Sequence, residues 1–320
     1  MNGINSRTAE VAQAAASRRS FLRAGLAGGL LAVGGTGLLA ACGSSSPSTA
    51  GSSAGGSATS SGASVSATLT SMRSSGAVLG LADAPPYSSL NSSGEVTGFG
   101  PAVATAVLKS LGVTTFKGVV GTYATMVPGM QAGRWQMIAA VLEITKARCG
   151  QIMYADPIEF DGACWGYLPS YQNPPTSLKG APTNIKIGVL TGAYLIPLAL
   201  AAGYSNGDIL QFPDRPSLVT GLKQGRIELA LNTTTAMTQL AKQENNSFKV
   251  TGNLTDVPVV GSSVALSKSD PAFYAEFQSG LAKLRSSGEL AKIRTQWGFL
   301  PETAAQEATT AEQACATATS

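Results

Sequence analysis

The chain has 320 residues, with 22 Lys and Arg against 18 Asp and Glu, a formal net charge of +4, and no histidine. The missing histidine excludes Ser-His-Asp and Cys-His nucleophilic chemistry and argues against a zinc centre, and nothing in the composition calls for a cofactor. Most of the excess charge sits at the N-terminus, where Arg7, Arg18, Arg19 and Arg23 stand against Glu10, so the remainder carries about +1 and offers no electrostatic footprint for nucleic acid.

Ser17-Arg18-Arg19-Ser20-Phe21-Leu22-Arg23 leads into a Gly/Ala/Leu run that ends at Leu39-Ala40-Ala41-Cys42. The first part resembles a twin-arginine export signal and the second a bacterial lipobox. Residues 1–41 are therefore expected to be removed, leaving Cys42 as a lipid-modified N-terminus outside the cytoplasm, at the cell surface or in the periplasm. A transmembrane helix fits less well, because Gly25, Gly28, Gly29, Gly34, Gly35 and Gly37 make the apolar run a weak helix former. Residues 42–70 are rich in Ser, Gly and Ala. Such a segment buries too little apolar surface to offset its ordering entropy and is expected to act as a disordered tether.

Val78–Ala82 reads as a buried strand stopped by Pro85-Pro86, Asn91–Gly94 as a turn, and Val96–Phe99 as a short strand. Pro101 opens a helix that Gly112 closes; Phe116–Val120 is a strand, Tyr123–Ala132 a helix and Met137–Leu142 a buried strand. A second series follows the Pro-rich stretch 169–182: strand Ile185–Leu190, helix Tyr194–Ala202, strand Asp208–Phe212, helix Pro216–Gln224 and strand Ile227–Leu231. The segment 218–226 echoes 126–134, so the two series are expected to build similar parallel α/β lobes with a cleft between them. The helix Asp270–Leu284 and the segment Gly288–Gly298 return to the first lobe. The predicted boundaries are 71–166 with 260–301 for lobe 1, 167–259 for lobe 2, and 302–320 for a flexible tail, although Glu302–Ala314 could extend a helix. The crossovers Trp165–Pro169 and Val257–Ser262 are expected to be hinges, with Trp165 itself a packing residue. With Cys42 assigned to lipid and Cys315 to the tail, Cys149 and Cys164 either pair or stay a buried free pair.

Asp83-Ala84-Pro85-Pro86-Tyr87, Gly94-Glu95-Val96-Thr97-Gly98-Phe99, Gly129-Met130-Gln131-Ala132-Gly133-Arg134, Ile144-Thr145-Lys146-Ala147-Arg148-Cys149 and Tyr154-Ala155-Asp156-Pro157 occur in that order. This series resembles the polar amino-acid family (family 3) of ABC-transporter solute-binding proteins, and within it the ectoine/hydroxyectoine-binding branch. The resemblance implies an α/β, periplasmic-binding-protein-like (type II) fold: two lobes around a central ligand cleft, closing on a small zwitterion and docking on an ABC permease, as a monomer held to the membrane by its lipid.

Carried onto this chain, the resemblance makes Arg148 the carboxylate clamp, a role suited to a planar guanidinium. Thr145 would assist from the head of the same helix. Tyr87 and Tyr123 match walls of an aromatic box for a delocalised cation, although spacing alone would place both at the edge of a core. The second lobe would contribute Thr191 and the pair Asn232 and Thr233. Two positions depart from the branch: Ala84 replaces an acidic residue, with Asp83 beside it, and Glu143 replaces an aromatic one. Glu143 can either meet the ligand's cationic nitrogen or neutralise Arg148. Asn232 stands where many relatives carry an ammonium-binding Asp, which disfavours an ordinary α-amino acid, and Gln136 suits lobe architecture more than ligand choice. An enzyme on the same fold, dehydratase-like with Glu143 or Asp83 as general acid, and a non-transport sensor are the alternatives; no nucleophile–base pair accompanies those carboxylates.

Overall fold

A computed structural model describes residues 66–318; the paired arginines, Cys42 and the body of the tether lie outside the described residues. Helix α1 (Ala67–Ser75) begins inside the stretch assigned above to the tether, taking in its last four residues, 67–70, before continuing into lobe 1. The Ser66 hydroxyl caps it by accepting from Leu69 N and donates to Asp270, and Leu69 and Met72 are buried beneath it. Burial of those two side chains supplies what a Ser/Thr-rich segment lacks in helix propensity.

Lobe 1 continues through β1 (Ala77–Ala82), β2 (Ser89–Leu90), β3 (Val96–Thr97), α2 (Phe99–Ser110), β4 (Phe116–Gly121), α3 (Tyr123–Gln131), β5 (Met137–Glu143), α4 (Lys146–Cys149), β6 (Met153–Tyr154) and β7 (Glu159–Asp161). The second lobe holds β8 (Ala163–Tyr167), β9 (Ile187–Leu190), α5 (Leu195–Ala201), β10 (Ile209–Phe212), α6 (Arg215–Lys223), β11 (Leu229–Thr233), α7 (Thr234–Gln243) and β12 (Lys249–Val250). The chain then returns through β13 (Val260–Leu266), α8 (Pro271–Ser286), α9 (Glu289–Gln296), α10 (Ala304–Glu307) and α11 (Ala311–Thr317). The strands and helices predicted for both series are present, with their ends shifted by a few residues.

The lobe 1 sheet runs β4-β1-β5-β13-β6, with β7 also paired to β13; the lobe 2 sheet runs β10-β9-β11-β8-β12. In each, three parallel strands are followed by an antiparallel one that arrives by crossing between lobes. The sequence echo has the same structural cause in both lobes. A Cβ on Gly129 would come within 2.1 Å of Trp135, and one on Gly221 within 2.6 Å of Phe212, so both helices need glycine where they press on a ring. Gln136 accepts from Val78 N at 2.6 Å, and Glu228, its counterpart, accepts from Lys186 N at 2.8 Å. Gln136 therefore closes the start of β1, the architectural role expected of it.

Three expectations need correction. The first crossover is not Trp165–Pro169: β7 pairs in the first sheet and β8 in the second, so the chain changes lobe at Gly162, and Trp165 is fully buried in the lobe 2 core. Cys149 pairs with Cys315, Cα–Cα 5.9 Å, while Cys164 is a buried free thiol. The fifteen-residue spacing gave no hint of this, because Cys164 points into the lobe 2 core on β8 whereas Cys149 sits half-buried on α4 of lobe 1. The segment 302–320, expected to be flexible, forms α10 and α11 within its described part. The latter is held by the disulfide, by Ala311 N donating to Asp156 Oδ1 at 2.8 Å, and by the burial of Ala311 and Ala314.

Candidate functional site

The lobe 1 wall of the cleft is built at the carboxyl end of β5. The strand bulges around Val141, whose φ is 51°, and its register to β13 shifts between Ser263 and Ala265. A bulge re-aims the side chains beyond it. Past this one come Glu143, then Thr145, whose hydroxyl accepts from Arg148 N at 3.3 Å and so caps α4. Arg148 Nη1 donates to the Glu143 carbonyl at 2.9 Å and lies 3.4 Å from its carboxylate, and Nη2 donates across the cleft to the Gly192 carbonyl at 2.9 Å. Thr145 thus serves the helix end, and Arg148 holds Glu143 and the opposite lobe. Of the two roles open to Glu143, neutralising Arg148 is the one seen in this geometry.

The lobe 2 wall comes from the turn after β9, the end of β11 and the start of α6. Gly192 (φ 78°) approaches lobe 1 so closely that a Cβ there would lie 2.1 Å from Ala124 N. The Thr191 hydroxyl is used locally, donating to the Phe212 carbonyl at 3.1 Å. Asn232 and Thr233 end β11, both buried, with Asn232 Oδ1 accepting from Thr233 N at 2.8 Å.

Sequence reasoning missed the group at the centre. Arg215, the first residue of α6 and only 1% exposed, reaches from lobe 2 into lobe 1. Its Nη1 donates to the Ala84 carbonyl at 2.6 Å and the Pro85 carbonyl at 3.4 Å, Nε to Asn232 Oδ1 at 3.3 Å, and Nη2 to Thr233 Oγ1 at 3.4 Å. The guanidinium lies 5.0 Å from the Tyr87 ring centroid, within cation–π range. Asp214-Arg215-Pro216 reads in sequence as an N-cap and the first turn of a solvated helix. The one available signal was a cation in that first turn, where the helix dipole opposes it.

Between the walls lies a cavity of about 10 Å³, room for roughly one water. Glu143, Tyr123, Tyr194, Arg215, Asn232 and Thr233 are among its lining residues. The hydroxyls of Tyr123 and Tyr194 are buried without a hydrogen-bond partner, although the Arg215 guanidinium is close to that of Tyr123. Burial pushes the Tyr123 phenol up to about 12, offset in part by Arg215, and burial pushes Tyr194 well above its usual value. Both are therefore neutral donors at any physiological pH.

The expected residues thus separate. Tyr123, Glu143, Asn232 and Thr233 meet at the cavity, and Arg148 reaches its edge through Glu143. Tyr87 is buried, with its ring already facing Arg215 and its hydroxyl donating to Asp161 Oδ2 at 2.7 Å, so no free ring face is left for the expected aromatic box. Asp83 is half-buried; partial desolvation and the nearby Asp214 of lobe 2 raise its pKa. No group of three or more potential metal ligands occurs among the described residues.

Residues 77–175 match the family model for bacterial extracellular solute-binding proteins, family 3. A probable amino-acid ABC transporter periplasmic-binding protein, y4tE of Sinorhizobium fredii, is 26% identical over 196 residues, 58% of this chain. The match spans 64% of that relative's length. The crystal structure of EhuB in complex with hydroxyectoine superposes with a TM-score of 0.73 at 31% identity, covering 78% of this chain and 98% of that one. A mutant of ArgBP from T. maritima superposes at 0.65 with 19% identity, covering 72% and 99%, a likeness of fold alone. The fold is the type II periplasmic-binding-protein fold, and the chain belongs to the bacterial extracellular solute-binding proteins of family 3.

Proposed function

We propose that the chain is the extracytoplasmic substrate-binding protein of an ABC importer, tethered through lipid on Cys42, which captures a small zwitterionic solute by closure of its lobes and presents it to a membrane permease. One observation carries this reading: each lobe sends a buried or half-buried guanidinium to the backbone of the other, Arg148 to Gly192 and Arg215 to Ala84. Groups with this geometry convert a change in the cleft into a change in lobe separation, and a solute that bridges them favours the closed form. A solute with a carboxylate and a cationic nitrogen suits a cleft that offers guanidiniums, neutral phenols and the Glu143 carboxylate. Likeness to a structure solved with hydroxyectoine supports this class.

The reading requires binding without chemistry, by a monomer. A thermal-shift screen over ectoines, betaines and amino acids tests it, since a solute present at about 100 times its Kd adds about 2.7 kcal/mol of apparent stability. The expected hit is recovered unchanged after incubation and reduces the radius of gyration in solution scattering. Conversion of the hit to a product, or tight binding with no compaction, would count against a closing receptor.

A further inference from the structure

The cleft holds one buried cation with no counter-ion. Among the described residues two arginines are buried outright, Arg215 and Arg294. Arg294 is flanked by two acidic side chains, the carboxyl group of Glu159 at 2.8 Å and that of Glu302 at 3.9 Å. Arg215 has no carboxylate oxygen within 4.0 Å among the described residues; all its hydrogen bonds go to carbonyl, amide and hydroxyl oxygens. A buried guanidinium without an anion is costly, and its place in the first turn of α6 adds the opposing helix dipole. The same cavity contains two neutral phenol donors, Tyr123 and Tyr194, with nothing to donate to.

We infer that Arg215, with the hydroxyls of Tyr123 and Tyr194, is the anchor for the solute's carboxylate, so that the anionic end of the solute faces lobe 2. Three donors around one unpaired positive charge match a carboxylate in both charge and hydrogen-bonding capacity. Arg148 is the less suitable anchor, because the Glu143 carboxylate 3.4 Å away already supplies its counter-ion, whereas Arg215 has none among the described residues. Arg215 also occupies the face of Tyr87, which excludes a solute that needs that ring for its own cation. This inference rests on the solute-receptor reading and names the substrate class for the same cleft.

The test is calorimetry on the lipid-free mature chain with hydroxyectoine, L-glutamate and succinate as carboxylate probes and choline as a cation without one. Binding is expected among the carboxylates and not with choline. Arg215→Gln is expected to weaken the bound probe by about 30-fold, the loss of a charged hydrogen-bonding partner. Should that variant not fold, Tyr123→Phe serves: it removes an unpartnered hydroxyl, so stability is kept or raised while affinity falls about tenfold. Binding of choline alone, full affinity in folded Arg215→Gln, or full affinity in Tyr123→Phe overturns the inference. Loss of binding in Arg148→Gln with none in Arg215→Gln also overturns it, returning the carboxylate to lobe 1. Failure of every probe with the unmodified chain, together with an empty thermal-shift screen, overturns the receptor reading itself and removes the inference with it.

Discussion

Replacing Gly192 with Ala separates the energy of the folded lobes from the energy of closing them. The residue has φ +78°, and a Cβ there would stand 2.1 Å from the Ala124 nitrogen and 2.5 Å from its Cα. The backbone conformation costs a non-glycine residue about 1–2 kcal/mol whether the lobes are open or closed. The clash exists only when lobe 2 meets lobe 1, and because the obstructing atoms are backbone they cannot rotate away. Overpacking of this kind costs about 1–3 kcal/mol, which corresponds to about 5- to 150-fold in solute affinity. Any shift that relieves it also strains the bond from Arg148 Nη2 to the Gly192 carbonyl. Denaturant unfolding without solute reports the first cost, and calorimetry with the solute from the thermal-shift screen reports the second. Scattering should show a larger particle in the presence of solute than the parent shows. Loss of stability in Gly192→Ala with affinity and compaction kept within twofold would refute a role for this contact in closure.

Other consequences concern the frame around the site. Peptides carrying Cys149 and Cys315 should be linked in a non-reducing digest, with Cys164 recovered as a free thiol. Cys315→Ser should lower stability by about 2–4 kcal/mol, because the bridge joins positions 166 residues apart and restricts the unfolded chain; identical denaturation with and without reductant would contradict this. Burial raises Glu159 to about 8 against the partial offset of Arg294. Its folded form holds the proton more tightly than the unfolded one, so its contribution to stability is complete below about 4.5 and is lost as pH rises through about 8. With no histidine in the chain to titrate in that window, the urea midpoint should fall between pH 6 and pH 9, and Glu159→Gln should flatten the fall; a rising midpoint would refute the assignment. Gly129→Ala, whose Cβ would meet the Trp135 ring at 2.1 Å, should cost about 1–3 kcal/mol in unfolding measurements and leave solute affinity nearly unchanged.

The sequence by itself determined the two-lobed α/β plan, because that plan is written in local chemistry. Apolar runs of strand length, Pro-first and Gly-last helices, and the shared Gly-Arg step at 133–134 and 225–226 act within about thirty residues of chain. Strand β5 was legible for the same reason, whereas Glu143 at its end and Arg148 beyond it stood out through the family resemblance. Helix α1 was not legible, since its stability comes from tertiary contacts, the burial of Leu69 and Met72 under the lobe and the bond from its Ser66 cap to Asp270. Tertiary structure alone decided the partner of Cys149, because bridging depends on which Cα atoms meet and not on spacing along the chain. It also decided the crossing at Gly162, which depends on which sheet each short strand joins. Above all it decided the place of Arg215. An arginine after an N-cap aspartate has the same local signature whether it faces solvent or a cleft, and only the packing of lobe 2 against Ala84 and Tyr87 of lobe 1 turns that charge inward.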